Sequence, residues 1–216
     1  MMMRQLTIMS ILLFLLLFCF ACNKEYTKPN TLANYFPNAV GDSWEYEVMD
    51  SSPVRDHPDF PRRYNVKVLI TGTKKLADNM DASIWQYEYP WGNDTNYVRV
   101  VGDTIKVFDR IYSSSIEYLK YPSQIFLIPF YINQRWDGNL LWVDSSKVLK
   151  KEDVKTLGDD FLSCFNIYRN YVGPNLNYQD YYWFKPTIGF IKISYNRYNL
   201  GFYSLESWQL KNYSIH

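Results

Sequence analysis

The chain of 216 residues carries 23 Lys plus Arg against 22 Asp plus Glu, a formal net charge of +1, and 19% of it is aromatic, with 20 Tyr and 7 Trp. A near-neutral chain without a basic stripe lacks the electrostatic footprint of a nucleic-acid binder, and no polybasic cluster supports adhesion to anionic lipid. The length suits one domain with a sizeable core.

At the start, Arg4 precedes an apolar run from Leu6 to Phe20, and Cys19-Phe20-Ala21-Cys22 leads directly into polar Asn23-Lys24-Glu25. This is the layout of a secretory signal peptide: a charged start, an apolar middle and a small residue before the cleavage point. Spanning a bilayer takes about 20 predominantly apolar residues. Leu6 to Ala21 falls short of that and contains Thr7 and Ser10, so the segment reads as a signal. A cysteine directly after the small residue resembles the lipobox of bacterial lipoproteins, with Cys19 standing where leucine is usual. The resemblance implies removal of residues 1–21 and acylation of Cys22. Two acyl chains anchor stably where one binds marginally, so the mature chain would sit on a membrane without a spanning helix. Loss of Arg4 leaves 22 basic and 22 acidic side chains. Cys19 departs with the signal and Cys22 carries lipid, so Cys164 has no intramolecular partner and reads as a buried small hydrophobe.

Residues 22–34 are polar, contain Pro29 and read as an anchor and flexible tether. Residues 35–216 then form a single domain dominated by period-2 alternation. Tyr64, Val66, Val68 and Ile70 share one face, with Asn65, Lys67 and Thr71 on the other, and Trp85 to Tyr89 repeats the pattern. Asn96 to Val101 and Thr104 to Arg110 flank Gly102-Asp103, a tight-hairpin dipeptide. Further strands are expected over 147–155, 161–172, 178–185, 189–198 and 203–213, with turn chemistry at Gly173-Pro174-Asn175 and Pro186-Thr187-Ile188-Gly189. A short helix fits only Ser114 to Tyr121. Regularly spaced short strands predict an all-β fold: one antiparallel meander forming a strongly curved half-barrel or a closed up-and-down barrel.

Phe36-Pro-Asn-Ala-Val-Gly-Asp-Ser-Trp-Glu-Tyr46 opens the domain, and Tyr182-Trp-Phe-Lys-Pro-Thr-Ile-Gly-Phe-Ile-Lys192 comes near its end. Together they resemble the F-P-x-x-x-G-x-x-W-x-Y … W-F-x-P-x-x-G-x-x-K pattern of uncharacterised Bacteroidota lipoproteins. Some of those are similar in plan to the lipoprotein-carrier (LolA/LolB-like) half-barrel, whose apolar concave face can hold acyl chains. The resemblance implies a lipid-anchored protein of the outer membrane, on its periplasmic or cell-surface face. In physical terms Gly41 and Gly189 permit sharp turns, with the Trp44 and Trp183 rings expected to bury beside them. Lys24-Glu25 partly matches the export signal of that group, with Tyr26 where a second acid is expected. Asp103-Thr104-Ile105 fits its O-glycosylation acceptor pattern, which would make Thr104 the modified residue.

No catalytic signature stands out. Histidine is the commonest general base, and the chain has only His57 and His216. Asp56-His57-Pro58-Asp59 reads as a solvated turn, and Asp78-Asn79-Met80-Asp81 lacks the spacing and glycine of a calcium loop, so no metal site is assigned. Glu152-Asp153 and Asp159-Asp160 are adjacent pairs whose members point to opposite faces of a strand, which does not suit a two-carboxylate glycosidase; Asp180 is a further candidate acid. The sequence points away from an enzyme and implies no cofactor. Tyr87, Tyr89 and Trp91, together with Tyr181 and Trp183 of the Tyr178, Tyr181, Tyr182, Trp183 cluster, are the candidate ligand-binding aromatics. A wholly apolar face would suit lipid or another apolar ligand, and rings with a few polar groups would suit a glycan. The expectation is a non-catalytic binding or structural module, with surface glycan binding and a carboxylate-based hydrolase as alternatives.

Overall fold

The computed structural model describes residues 34–52, 62–76, 78–109, 122–138 and 143–216. The signal, Cys22, the tether before residue 34, Asp56 to Asp59 and Ser114 to Tyr121 lie outside the described residues. Contacts divide the chain into Met1–Asn30 and Thr31–His216, and the second unit holds everything described below.

Among the described residues the fold is all β. In chain order the strands are β1 (Ser43–Asp50), β2 (Arg63–Lys75), β3 (Asp81–Tyr89), β4 (Gly92–Val101), β5 (Thr104–Asp109) and β6 (Gln124–Leu127), then β7 (Arg135–Asp137), β8 (Val143–Lys155), β9 (Asp160–Gly173), β10 (Leu176–Lys185), β11 (Gly189–Asn199) and β12 (Phe202–Ser214). They form one antiparallel sheet in the order β6-β5-β4-β3-β2-β1-β12-β11-β10-β9-β8-β7. Every neighbour is a chain neighbour except the β1–β12 pair, which runs from Ser43↔Ser214 to Asp50↔Glu206. The order is that of an up-and-down barrel with one ladder missing, between β6 and β7.

Side chains bridge that missing ladder. The Trp136 indole N–H on β7 donates to the Ile125 carbonyl on β6 at 2.7 Å, and the Gln134 amide donates to the Leu127 carbonyl at 3.0 Å. The sheet is therefore a nearly closed barrel, between the two forms that the alternation allows.

Alternation places the core. On β2, Tyr64, Val66, Val68 and Ile70 are buried while Arg63, Asn65 and Lys67 face solvent. The expected hairpin at Gly102-Asp103 is present, with Gly102 at φ +59°, which a side chain would disfavour. Pro174-Asn175 closes β9 to β10 with Asn175 at φ +58°, a geometry suited to proline first and asparagine second. The structure adds β1, β6 and β7 to the strands expected, and β4 begins at Gly92 instead of Asn96. Cys164 is fully buried, and burial pushes its thiol up to about 11.

One end of the barrel is plugged by the segment before β1. Phe36 stacks on Trp85 at 5.6 Å and 7°, and Trp85 stacks on Trp44 at 4.9 Å. The Tyr35 hydroxyl accepts the Phe130 N–H at 2.8 Å, and its carbonyl accepts the Thr187 N–H at 3.1 Å. Buried rings of this size each contribute about 1.5–3 kcal/mol from area alone, and their mutual packing adds about 0.5–1.5 kcal/mol per pair. Trp44 also donates to the Ile188 carbonyl at 2.6 Å, against Gly189, whose φ of +101° turns the chain there.

Trp183 departs from expectation. It is half-buried on the outer face of β10, its indole N–H donating to Glu152 at 2.8 Å, while Tyr182 and Phe184 point inward. Strand alternation puts neighbours on opposite faces, so the inward place belongs to Tyr182.

Candidate ligand-binding site

The inward residues of β3 climb the barrel wall. Trp85 lies deep, Tyr87 and Tyr89 follow at two-residue intervals, and Trp91 stands in the β3–β4 turn with 42% of its surface exposed. Tyr87 and Tyr89 are inclined by 17° with centroids 6.5 Å apart, and Tyr89 and Trp91 by 21° at 5.4 Å. Tyr64 meets Trp91 edge-on at 4.8 Å. These near-parallel rings form one side of a cavity of about 510 Å³ that reaches down to Phe36 and Trp85.

The facing wall comes from β11 and β12. Trp208 is nearly perpendicular to both Tyr89 (90°) and Tyr195 (79°). Glu206, two residues before it and on the same face, accepts the Trp208 indole N–H at 3.0 Å and the Ser204 hydroxyl at 3.3 Å. Asp94 and Asn96 of β4 line the cavity as well, as do Gln124 and Phe126 of β6. Burial, with Tyr87 and Glu206 nearby, holds the Tyr89 phenol well above its ordinary range, and burial does the same for Tyr195. Both phenols stay neutral at physiological pH.

A buried charge cluster backs this wall. Asp180 on β10 is fully buried and receives both arms of the Arg197 guanidinium, at 2.9 and 2.7 Å. Arg169 lies 4.0 Å away and Tyr182 donates to the same carboxylate at 3.2 Å. Arg197 also lies over the Tyr195 ring, 3.8 Å from its centroid. Such bidentate pairs hold geometry as well as charge.

The candidate aromatics therefore fall into two places. Tyr87, Tyr89 and Trp91 converge in the cavity. Tyr181 and Trp183 lie on the outer face, stacked at 6.3 Å and 30°, with Lys192 4.8 Å over the Trp183 ring, and the structure does not bring them to the first group. Thr104 opens β5 just after the hairpin turn and is half-exposed, its hydroxyl on Asp103 at 3.0 Å. In the Asp78–Asp81 loop the Asp78 carboxylate is taken by Arg99 at 2.7 Å and by the Met80 N–H at 3.1 Å. His216 pins the C-terminus to the start of β1, its N–H on buried Asp42 at 2.9 Å.

Glu206, Asp94, Arg197 and Trp208 were not among the sequence candidates. A signal existed for Glu206: extending the inward register of Trp208 and Leu210 back along β12 puts a carboxylate on the core face. A second, larger hollow of about 660 Å³ lies at the plugged end, between residues 34–42 and His216. Phe36 is the one ring of Phe, Tyr or Trp in its lining among the described residues, so it gathers no comparable aromatic set.

The fold and the cavity define an all-β barrel with an aromatic, partly charged interior. No protein-family model matches the chain, and no curated protein matches it in sequence. Two solved structures are similar to it in fold. One is a candidate exported protein with a YmcC-like fold from Bacteroides fragilis, at 12% identity and a TM-score of 0.47, covering 83% of this chain and 98% of that one. The other is a candidate lipoprotein from Parabacteroides distasonis, at 13% identity, the same TM-score and the same coverage.

Proposed function

We propose that this protein is a non-catalytic binding module, held at the outer membrane through acylated Cys22, that takes a small ligand into the mouth of its barrel. The observation that carries the reading is the cavity of about 510 Å³ lined by Tyr87, Tyr89, Trp91 and Trp208. Its size lies within the range of about 300–1,000 Å³ usual for ligand pockets, and apolar walls with a few placed polar groups are the usual composition. The wall is not wholly apolar. Glu206, Arg197, Asp94 and Asn96 favour a ligand with polar groups over a bare acyl chain.

A glycan is the second reading, favoured by the near-parallel Tyr87, Tyr89 and Trp91 rings. Two carboxylates from different strands, Asp94 and Glu206, also line the cavity. Both oxygens of Glu206 accept side-chain hydrogen bonds from neutral donors, an arrangement that suits holding a ligand more than shuttling a proton.

Intrinsic tryptophan fluorescence of the mature chain in polyoxyethylene detergent micelles tests the reading against palmitate and cellohexaose. A saturable change that Trp91→Ala weakens at least tenfold is expected. No change with either probe counts against the lipid and glycan readings, and turnover of a nitrophenyl glycoside would move the protein among the hydrolases.

A further inference from the structure

We infer that the barrel cavity is built for an organic cation, an amine or quaternary ammonium group, with Glu206 and Asp94 as its counter-charges. The inference rests on the reading of the cavity as a ligand site and names the chemistry of the ligand.

Charge decides the sign. The charged residues lining the cavity are Asp94, Arg197 and Glu206. Arg197 is held by Asp180 behind it, which takes two hydrogen bonds from its guanidinium and also lies 4.0 Å from Arg169. The cavity and its backing cluster together hold the three carboxylates Asp94, Glu206 and Asp180 against the two guanidiniums and stay net negative. What remains facing the cavity is two carboxylates. Among the described residues neither forms an ion pair. Glu206 is held by Ser204 and Trp208, both neutral donors, and Asp94 accepts the Thr95 N–H at 2.7 Å. Carboxylates on a low-dielectric wall gain most from a cation between them and are penalised by an uncharged apolar occupant that displaces their water.

The rings decide the kind of cation. Aromatic faces attract cations through the ring quadrupole, and the attraction grows when water is excluded. Tyr64, Tyr87, Tyr89, Trp91, Tyr195 and Trp208 all border the space. The protein already uses one of these rings for this purpose, since the Arg197 guanidinium lies on Tyr195. A small hydrated metal ion would gain little from such walls, whereas a weakly hydrated ammonium carrying methyl or methylene groups gains from both the rings and the carboxylates. Phosphate and free carboxylate ligands are disfavoured by Asp94 and Glu206.

The experiment compares choline with 3,3-dimethylbutan-1-ol, its uncharged carbon isostere, on the mature chain in the same micelles, followed by fluorescence and calorimetry. Choline is expected to bind at least tenfold more tightly than the alcohol. Glu206→Gln should remove that preference, and raising the salt concentration should weaken choline alone. Asp94→Asn provides a second variant should Glu206→Gln unfold, and the wild-type comparison requires no variant. Equal binding of choline and the alcohol, or a preference that survives both substitutions, overturns the inference. If palmitate or cellohexaose binds in a Trp91-dependent way while choline does not, the cation assignment falls and the cavity reading stands. If no probe binds, both fall.

Discussion

Asp180→Asn isolates the charge cluster behind the cavity. The substitution keeps the shape of the side chain and still offers an oxygen to Tyr182, but it withdraws the negative charge from Arg197 and Arg169. Asp180 is fully buried, the Arg169 side chain is 6% exposed and that of Arg197 is 28% exposed. Breaking a buried pair from one side costs about 3–5 kcal/mol, mostly from the charge left behind. Partial access of water to Arg197 places the expected loss at the low end, about 3 kcal/mol. In a chain of this size each kcal/mol moves Tm by about 2–4 °C, so a fall of about 6–12 °C is expected. Urea unfolding followed by tryptophan fluorescence gives the free energy, and a cycle with Arg197→Gln separates the pairwise part, since contacting charges couple by about 0.5–3 kcal/mol. An Asp180→Asn variant within about 0.5 kcal/mol of the parent, the scatter of ordinary surface changes, would refute the claim that this carboxylate organises the wall.

Two further outcomes follow from local geometry. Burial alone would raise the Glu152 carboxyl, but hydrogen bonds from Lys150, Asn166 and Trp183 outweigh it and hold the group down at about 2. The folded value lies below the unfolded one, so this contribution is complete above about pH 4.5 and is lost as pH falls toward 2; Glu152→Gln should flatten the thermal-stability profile across that window. At Gly158 a Cβ would sit 2.3 Å from the Lys211 carbonyl oxygen, whereas at Gly72 it would meet nothing within 4 Å. Gly158→Ala should therefore destabilise by about 1–3 kcal/mol as overpacking does, with Gly72→Ala close to neutral in the same urea titration.

Strand content was legible because most strands are long and several, β1, β2 and β10 among them, alternate over much of their length, and because Gly102-Asp103 and Pro174-Asn175 supply the turn chemistry those hairpins require. β6 and β7 have 4 and 3 residues, too few to show a period, and they pair on one side only. Face assignment on β10 was harder. Tyr178, Tyr181, Tyr182 and Trp183 are all aromatic, so composition does not separate the two faces. The inward face is marked instead by Asp180, a charge whose burial is made tolerable by Arg197 from β11 and Arg169 from β9. Partners that distant in sequence leave no local pattern. The same holds for the cavity: the β3 ladder could be read from Trp85, Tyr87 and Tyr89, but its meeting with Glu206 and Trp208 depends on the β1–β12 pairing that brings the two ends of the chain together.

That pairing also settles the direction in which the barrel opens. Trp91, Asn93 and Ser204 border the cavity at the end carrying the β3–β4 and β11–β12 turns, whereas the segment entering from residue 34 passes through Tyr35 and Phe36 at the opposite, plugged end. The opening motif thus has a concrete role. Phe36 stacks on Trp85, Gly41 turns at φ +100° against the His216 ring, Trp44 fills the floor, and Tyr46 donates its hydroxyl to the Phe190 carbonyl at 2.6 Å. The mouth is thus at the far end of the strands from this plug. Four large apolar residues are exposed at that far end, Trp91 at the β3–β4 turn and Leu200, Phe202 and Tyr203 at the β11–β12 turn. A ligand would then reach the aromatic wall from the end away from the Tyr35 and Phe36 plug.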